Sequence, residues 1–168
     1  MSGAANPKLG LRPALPADGP LLIAIFRASI GELTSDDYSE TQQEAWASAA
    51  DDEGAFLKRV MDNLALVATL DGSPVAFATL KGNRVIDMLY VHPAGTRRGA
   101  ASLLCDALEK LAAGRGTESI AVDASDTAKA FFEKRGYVPK LRNTVMRNDE
   151  WLANTTMDKP LASKGEAS

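Results

Sequence analysis

The chain holds one cysteine in 168 residues. A lone Cys105 excludes an intramolecular disulfide and a cysteine-rich zinc cluster, and no metal site is expected. An excess of positive charge is also missing. With a formal charge of −3, a pI near 5.2 and scattered Lys and Arg, the chain lacks the clustered cations that bind phosphate backbones, so no nucleic-acid partner is expected. There is no apolar run of about 18 residues and no charged-then-apolar leader. That absence predicts no membrane partner and a cytoplasmic location. No internal repeat is found.

What is present is ordinary for a globular domain. An apolar content of 45% and a charged content of 24%, over a length that buries a real core, predict a single domain over 8–161. The small polar ends, 1–7 and 162–168, read as loose tails.

Along the chain, Lys8 to Leu15 reads as a short strand stopped by prolines. Asp18 is placed to cap a helix with its apolar stripe at Leu22, Ile25, Phe26, Ile30 and Leu33. Ser39 and Gln42 have capping-box spacing in front of a second helix with Ala45, Trp46 and Ala49, and Phe56, Leu57, Val60 and Met61 mark a third amphipathic stretch. Two turns, Asp71-Gly72-Ser73-Pro74 and Gly82-Asn83, divide the apolar residues from Leu64 to Val91 into an antiparallel meander. In its last strand, simple alternation puts Asp87, Leu89 and Val91 on one face and Ile86, Met88 and Tyr90 on the other. A helix from Gly99 to Ala113 then leads to a strand over Ser119 to Ala124, the parallel part of a mixed sheet. Ser125 or Asp126 caps a further helix that ends at Gly136. Leu141 to Arg147 and Trp151 to Met157 close the chain as a hairpin.

The segment Ile86 to Glu109, IDMLYVHPAGTRRGAASLLCDALE, carries the functional signal. An apolar strand ends at a proline, and a loop of small and basic residues feeds straight into an amphipathic helix. First-turn N–H groups of a helix have no intrahelical partner and the dipole favours negative charge there, so this arrangement suits a phosphate. Gly99, Ala100 and Ala101 let a ligand approach the main chain, and Arg97 and Arg98 add positive charge. Neither a Gly-Lys-Ser/Thr end nor three spaced glycines occurs, which removes the Walker and dinucleotide loops.

The window Thr96-Arg97-Arg98-Gly99-Ala100-Ala101 resembles the acetyl-coenzyme A loop of the GNAT family of N-acetyltransferases, whose pattern is Gln or Arg, two residues, Gly, one residue, Gly or Ala. Thr96 departs from the first position; Gly99 and Ala101 fit. The preceding Leu89-Tyr90-Val91-His92-Pro93 is similar to the family's central strand. Ala124 to Ala128 followed by Phe131 to Tyr137, FFEKRGY, is similar to its second cofactor helix and Gly-aromatic exit. The resemblance runs from about Leu66 to Leu161. It implies an α/β (α+β) fold with a mixed, mostly antiparallel sheet of about six or seven strands and about four flanking helices. It further implies acetyl-coenzyme A contacts at Leu89, Tyr90, Val91, Thr96, Arg97, Arg98, Gly99, Ala100, Ala101, Ser102, Ser125, Ala128, Phe131 and Phe132, and direct acetyl transfer to a primary amine of a small molecule or peptide.

Such a transfer needs an oxyanion donor, a base, and in some cases an acid for the departing thiolate. The donor implied is a backbone N–H near Val91. Asp87 is the only acidic residue of the meander outside the Asp71 turn. It reads either as a base or ammonium-binding carboxylate, or as a partner of Arg84 or a sheet-edge cap. An amine of pKa near ~10.4 arrives protonated and needs such help. The family's acid is a tyrosine where this chain has Phe132; Tyr137 and Tyr90 are the candidate substitutes, with core packing the favoured reading for Tyr137. A thiol of pKa near ~8.5 leaves tolerably without one.

His92 reads as a loop residue near the cofactor and Cys105 as core. Tyr38 and Trp46 stand where the family builds its acceptor pocket, and Trp46 also reads as a core anchor. A coenzyme A-binding sensor without turnover is the alternative function. Acetylation of aminoacyl-tRNA is disfavoured by the acidic composition. An exposed sheet edge leaves room for a homodimer.

Overall fold

The expected turns fold the middle of the chain into a meander. β2 (Leu64–Leu70), β3 (Ser73–Lys81) and β4 (Val85–Val91) pair antiparallel in succession, and β1 (Leu9–Pro13) lies against β2. β5 (Ser119–Ser125) joins β4 in parallel. The hairpin of β6 (Val138–Arg147) and β7 (Glu150–Pro160) turns on Asn148 and Asp149, both left-handed at φ 44° and 64°, as a two-residue hairpin turn requires. β7 then runs antiparallel to β5. The sheet order is β1-β2-β3-β4-β5-β7-β6. This computed structural model describes residues 8–161, so the two expected tails lie outside the described residues.

Among the described residues five helices cover the sheet: α1 (Gly19–Leu33), α2 (Glu40–Ala47), α3 (Glu53–Met61), α4 (Ala100–Gly114) and α5 (Lys129–Lys134). Apolar residues at helical spacing decide which face each covers. Leu104, Leu108 and Ala112 of α4 and Phe132 of α5 pack on Ala76, Ala78, Ile86, Ile120 and Val122. Leu22, Phe26 and Ile30 of α1 and Phe56 and Val60 of α3 pack on Val67, Phe77 and Met88 on the opposite face. Each fully buried Leu or Phe contributes about 1.5–3 kcal/mol, so the sheet is held from both sides.

The capping box of α2 forms as expected: Ser39 Oγ accepts from Gln42 N–H at 3.2 Å, and Gln42 Oε1 accepts from Ser39 N–H at 2.8 Å. Three expectations are corrected. A 3₁₀ turn over Pro16–Asp18 precedes α1 and puts Asp18 itself in a helical conformation. Its carboxylate therefore points back, accepting Leu15 N–H at 2.7 Å and two bonds from Arg12 at 2.8 Å, and it makes no side-chain cap to α1. α5 starts at Lys129, because Ser125 Oγ accepts from Ala128 N–H at 3.1 Å and holds a turn ahead of the helix. In β4 the alternation breaks at a bulge. Met88 pairs with Thr79 and Ile86 with Leu80, so Asp87 is an extra residue. Ile86 accordingly joins Leu89 and Val91 on the α4 face, and Asp87 joins Met88 and Tyr90 on the α3 face.

The Arg12 hydrogen bonds, with Leu15 N–H, hold the buried Asp18 carboxyl below the usual carboxylate range, against the opposing effect of burial. A lowered folded pKa means that this stabilisation is complete above the unfolded value of ~3.9 and is lost as pH falls through the folded one. Asp18→Asn is expected to cost about 1–3 kcal/mol at neutral pH. In chemical denaturation, the gap between the parent protein and the variant should close as pH falls below about 4.

Candidate active site

The parallel junction is short. β4 and β5 share two paired positions, Val85 with Ala121 and Ile86 with Val122, after which the strands part although both continue. The opening is a cavity of about 990 Å³ that passes through the sheet. On the α4 face it is walled by the loop after β4 and by the starts of α4 and α5. On the other face its wall comes from α1, Trp46 of α2, Arg59 of α3 and the β6–β7 hairpin.

The loop after β4 is built to expose its main chain. His92 Nδ1 accepts from Ala94 N–H, and Thr96 Oγ1 donates to Pro93 O at 2.9 Å, closing a turn over Pro93–Gly95. Thr96 therefore spends its hydroxyl on the loop. A Cβ on Gly95 would stand 2.9 Å from Val75 Cβ, so only glycine lets the loop lie this close to β3. Arg97 (φ 60°) and Gly99 (φ 87°) are both left-handed. For Arg97 this conformation costs of order 1–3 kcal/mol, a cost that clusters at ligand loops. The first main-chain bond of α4 runs from Leu103 N–H to Gly99 O at 2.9 Å. It leaves the N–H groups of Ala100, Ala101 and Ser102 without helical partners and turned to the cavity mouth, where the helix dipole favours an anion.

The gap itself exposes strand main chain. His92 N–H is bonded to Val75 O on β3, so alternation turns Tyr90 main-chain groups to β3 and those of Leu89 and Val91 to the gap. Ser125, Ala128, Phe131 and Phe132 complete this end. Phe132 is also core, 2% exposed.

On the other face the aromatic residues form a connected set. Trp46 Nε1 donates to Tyr90 Oη at 3.1 Å, and Trp46 meets the rings of Tyr38 and Tyr90 edge-on. Tyr38 Oη donates to Ala153 O at 2.6 Å and accepts from Asp126 N–H at 2.9 Å, which ties the segment before α2 to β7 and to the turn after β5. Burial raises the pKa of both phenols, so Tyr38 and Tyr90 stay protonated. Tyr90 Oη accepts from Trp46, and among the described residues no acceptor is found for its own proton. Asp87 lines the cavity and accepts from Arg59 Nε at 2.9 Å, so its partner comes from α3 and is not the Arg84 weighed from sequence.

The structure thus brings Tyr38, Trp46, Asp87, Leu89, Tyr90, Val91, Thr96, Arg97, Gly99, Ala100, Ala101, Ser102, Ser125, Ala128, Phe131 and Phe132 to one cavity. Two expected residues are not on its wall. Arg98 is exposed outside it. Tyr137 is buried on the α4 face, where its hydroxyl donates to Glu109 Oε2 at 2.8 Å. Burial and the Glu109 charge push that phenol far up, and its contacts are structural. The wall residues not named from sequence include Arg59, Asp123, Asn143 and Arg147. Only Asp123 had a local signal, since it alternates with the inward Val122 and Ala124. The others are delivered by distant elements. Among the described residues there is no group of three or more His, Cys, Asp or Glu placed to hold a metal, and no helix is long and apolar enough to cross a membrane.

Known proteins share this architecture. A family model described as an acetyltransferase (GNAT) domain matches residues 34–161. An uncharacterized N-acetyltransferase of Escherichia coli K12, YafP, is 35% identical over 147 residues, covering 88% of this chain and 93% of that protein. A GCN5-related N-acetyltransferase of Rhodopseudomonas palustris superposes with a TM-score of 0.90 at 59% identity, covering 96% of this chain and 99% of the other. The PaiA N-acetyltransferase of Thermoplasma acidophilum, solved in complex with coenzyme A, shares the fold at a TM-score of 0.72 and 20% identity, over 91% of this chain and 99% of that one. With the family match spanning most of its length and a close relative over nearly all of it, this chain belongs to the GNAT family of acetyltransferases and is an acyltransferase.

Proposed function

We propose that the protein transfers the acetyl group of acetyl-coenzyme A directly to a primary amine. The observation that carries this reading is the cavity through the sheet at the β4–β5 gap. It has an anion-binding helix start at one end and a carboxylate beside an aromatic wall at the other. Two substrates can then meet inside the gap from opposite faces, which makes their encounter effectively intramolecular.

The chain's residues divide the work. The N–H groups of Ala100, Ala101 and Ser102, with Arg97 at the rim, fit a pyrophosphate. The gap-facing N–H groups of Leu89 and Val91 are the proposed donors to the charge that develops on a thioester oxygen, and a fixed main-chain donor needs no reorganisation. Bound acetyl-coenzyme A supplies an activated acyl group. Asp87 is the proposed base: it takes the ammonium proton, through water, so that the amine lone pair can attack. Tyr90, whose own proton is uncommitted, takes the place of the absent tyrosine at Phe132 and donates to the leaving sulfur. Tyr38 and Trp46 wall the acceptor side.

Calorimetric titration with acetyl-coenzyme A tests the cradle. Gly99→Glu puts a side chain at φ 87° and a negative charge beside the phosphates, and affinity is expected to fall at least tenfold, about 1.4 kcal/mol. Unchanged affinity in a folded variant would remove the loop from the site. Asp87→Asn should keep cofactor affinity and lower turnover by roughly 10²–10⁴-fold, read as thiol release with an amine. Turnover equal to the parent's would take Asp87 out of the mechanism. Binding with no release for any amine would favour the sensor.

A further inference from the structure

Five charged side chains stand on the cavity wall: Arg59, Asp87, Arg97, Asp123 and Arg147. Arg59 and Asp87 match each other, and Arg97 lies at the cofactor end. Asp123 and Arg147 are left, and among the described residues neither has an ion-pair partner. Asp123 follows Val122, the last β5 residue paired with β4, so it stands next to Asp87 at the apex of the gap. It is held by Thr156 Oγ1, which donates to its Oδ1 at 2.6 Å and in turn accepts from Asn143 Nδ2 at 2.8 Å. Arg147 stands opposite Glu150 across the hairpin end. Among the described residues its side chain makes no salt bridge and bonds only to Met146 O at 3.3 Å, and it forms part of the cavity wall while Glu150 does not.

The strand register puts these two charges on one track. Asp123 pairs with Thr156, Asn143 with Asn154, Val145 with Leu152 and Arg147 with Glu150, and residues two apart share a face. From Asp123 the wall therefore runs through polar Asn143, then apolar Val145 and Leu152, to Arg147. From Thr156 to Glu150 is six steps of β7, roughly 20 Å of strand at ~3.3 Å per residue, less the reach of the two side chains.

We infer that the acceptor is an extended amine with a negative charge at its far end, its ammonium received at Asp123 and its anion by Arg147. The inference rests on the acetyltransferase reading above. The spacing rejects a free α-amino acid, whose two charges sit on adjacent groups. It suits a long ω-amino carboxylate or a short peptide with a free N-terminus and an acidic side chain about four to six residues on. Arg147 is here a specificity residue, and Asp123 positions the ammonium beside Asp87.

The test uses the full-length protein with acetyl-coenzyme A and matched acceptors: a pentapeptide ending in Glu against the same peptide amidated and ending in Gln, and ω-amino carboxylates of rising length against their amides. The anionic member of a pair is expected to have at least tenfold higher kcat/KM. Arg147→Gln should bring that ratio to near one, Arg147→Lys should restore part of it, and Asp123→Asn should lower kcat/KM for both members. Peptides outperforming the ω-amino carboxylates would name the acceptor a peptide, and the reverse a small molecule. A ratio near one in the parent protein, or a ratio that survives Arg147→Gln, overturns the inference. If the loaded protein acetylates nothing, the transferase reading fails separately. Calorimetry of the same pairs into the loaded protein then decides, with equal binding of charged and amidated members counting against the anion site.

Discussion

The structure turns on a seam of two residue pairs. β4 is committed to β3 along its length, and β5 to β7 over seven positions. What joins the two halves in the middle of the sheet is the pairing of Val85 and Ile86 with Ala121 and Val122. Beyond it each strand is already satisfied on its outer edge, and the inner edges run on without pairing to each other. An unpaired strand edge inside a protein is ordinarily a cost, because buried N–H and C=O groups demand partners. Here that unmet demand is the useful property, since it leaves main-chain donors facing a space that a substrate can fill.

Rigid fixtures hold the two halves at a set separation. On the α4 face, Glu109 accepts from Arg135, Tyr137 and Lys159, joining α4 to the end of α5 and to β7. On the opposite face the Tyr38 hydroxyl bridges β7 and the turn after β5, and Gln42 Nε2 donates to Trp151 O. Both fixtures anchor helices to the β5–β7 half, while α1 and α3 pack on the meander. The aromatic contact of Trp46 with Tyr90 then spans the gap between the halves. Truncating Glu109 or Gln42, neither of which lines the cavity, would loosen these ties without touching a substrate.

The elements were legible in the sequence wherever a local rule decides them. The Ser39–Gln42 box and the small-residue loop at Gly99 each depend on neighbours within a few positions, and each forms as expected. Misreadings occur where a non-local partner decides. Asp87 changes face because β3 and β4 differ by one residue in register, and no period-two reading of β4 alone contains that information. Tyr137 packs in the core, the reading favoured for it, but the partner of its hydroxyl, Glu109, is 28 residues away and gave no local signal. Arg59 and Arg147 are unremarkable charges in sequence. They become part of a site only because α3 and a hairpin separated by the rest of the fold converge on one opening. The helix-start end of the cavity was therefore readable as a contiguous loop, whereas the far end, assembled from remote pieces, was readable only at Tyr38, Trp46 and Asp87.

Cys105 lies inside α4 with no surface exposed, and burial pushes its thiol up to about 12. A thiol held so firmly protonated is a poor nucleophile toward alkylating agents, oxidants and disulfides alike. Free thiol detected in a working sample would therefore belong to the small molecule passing through the protein, since the chain's one sulfhydryl is buried and held protonated.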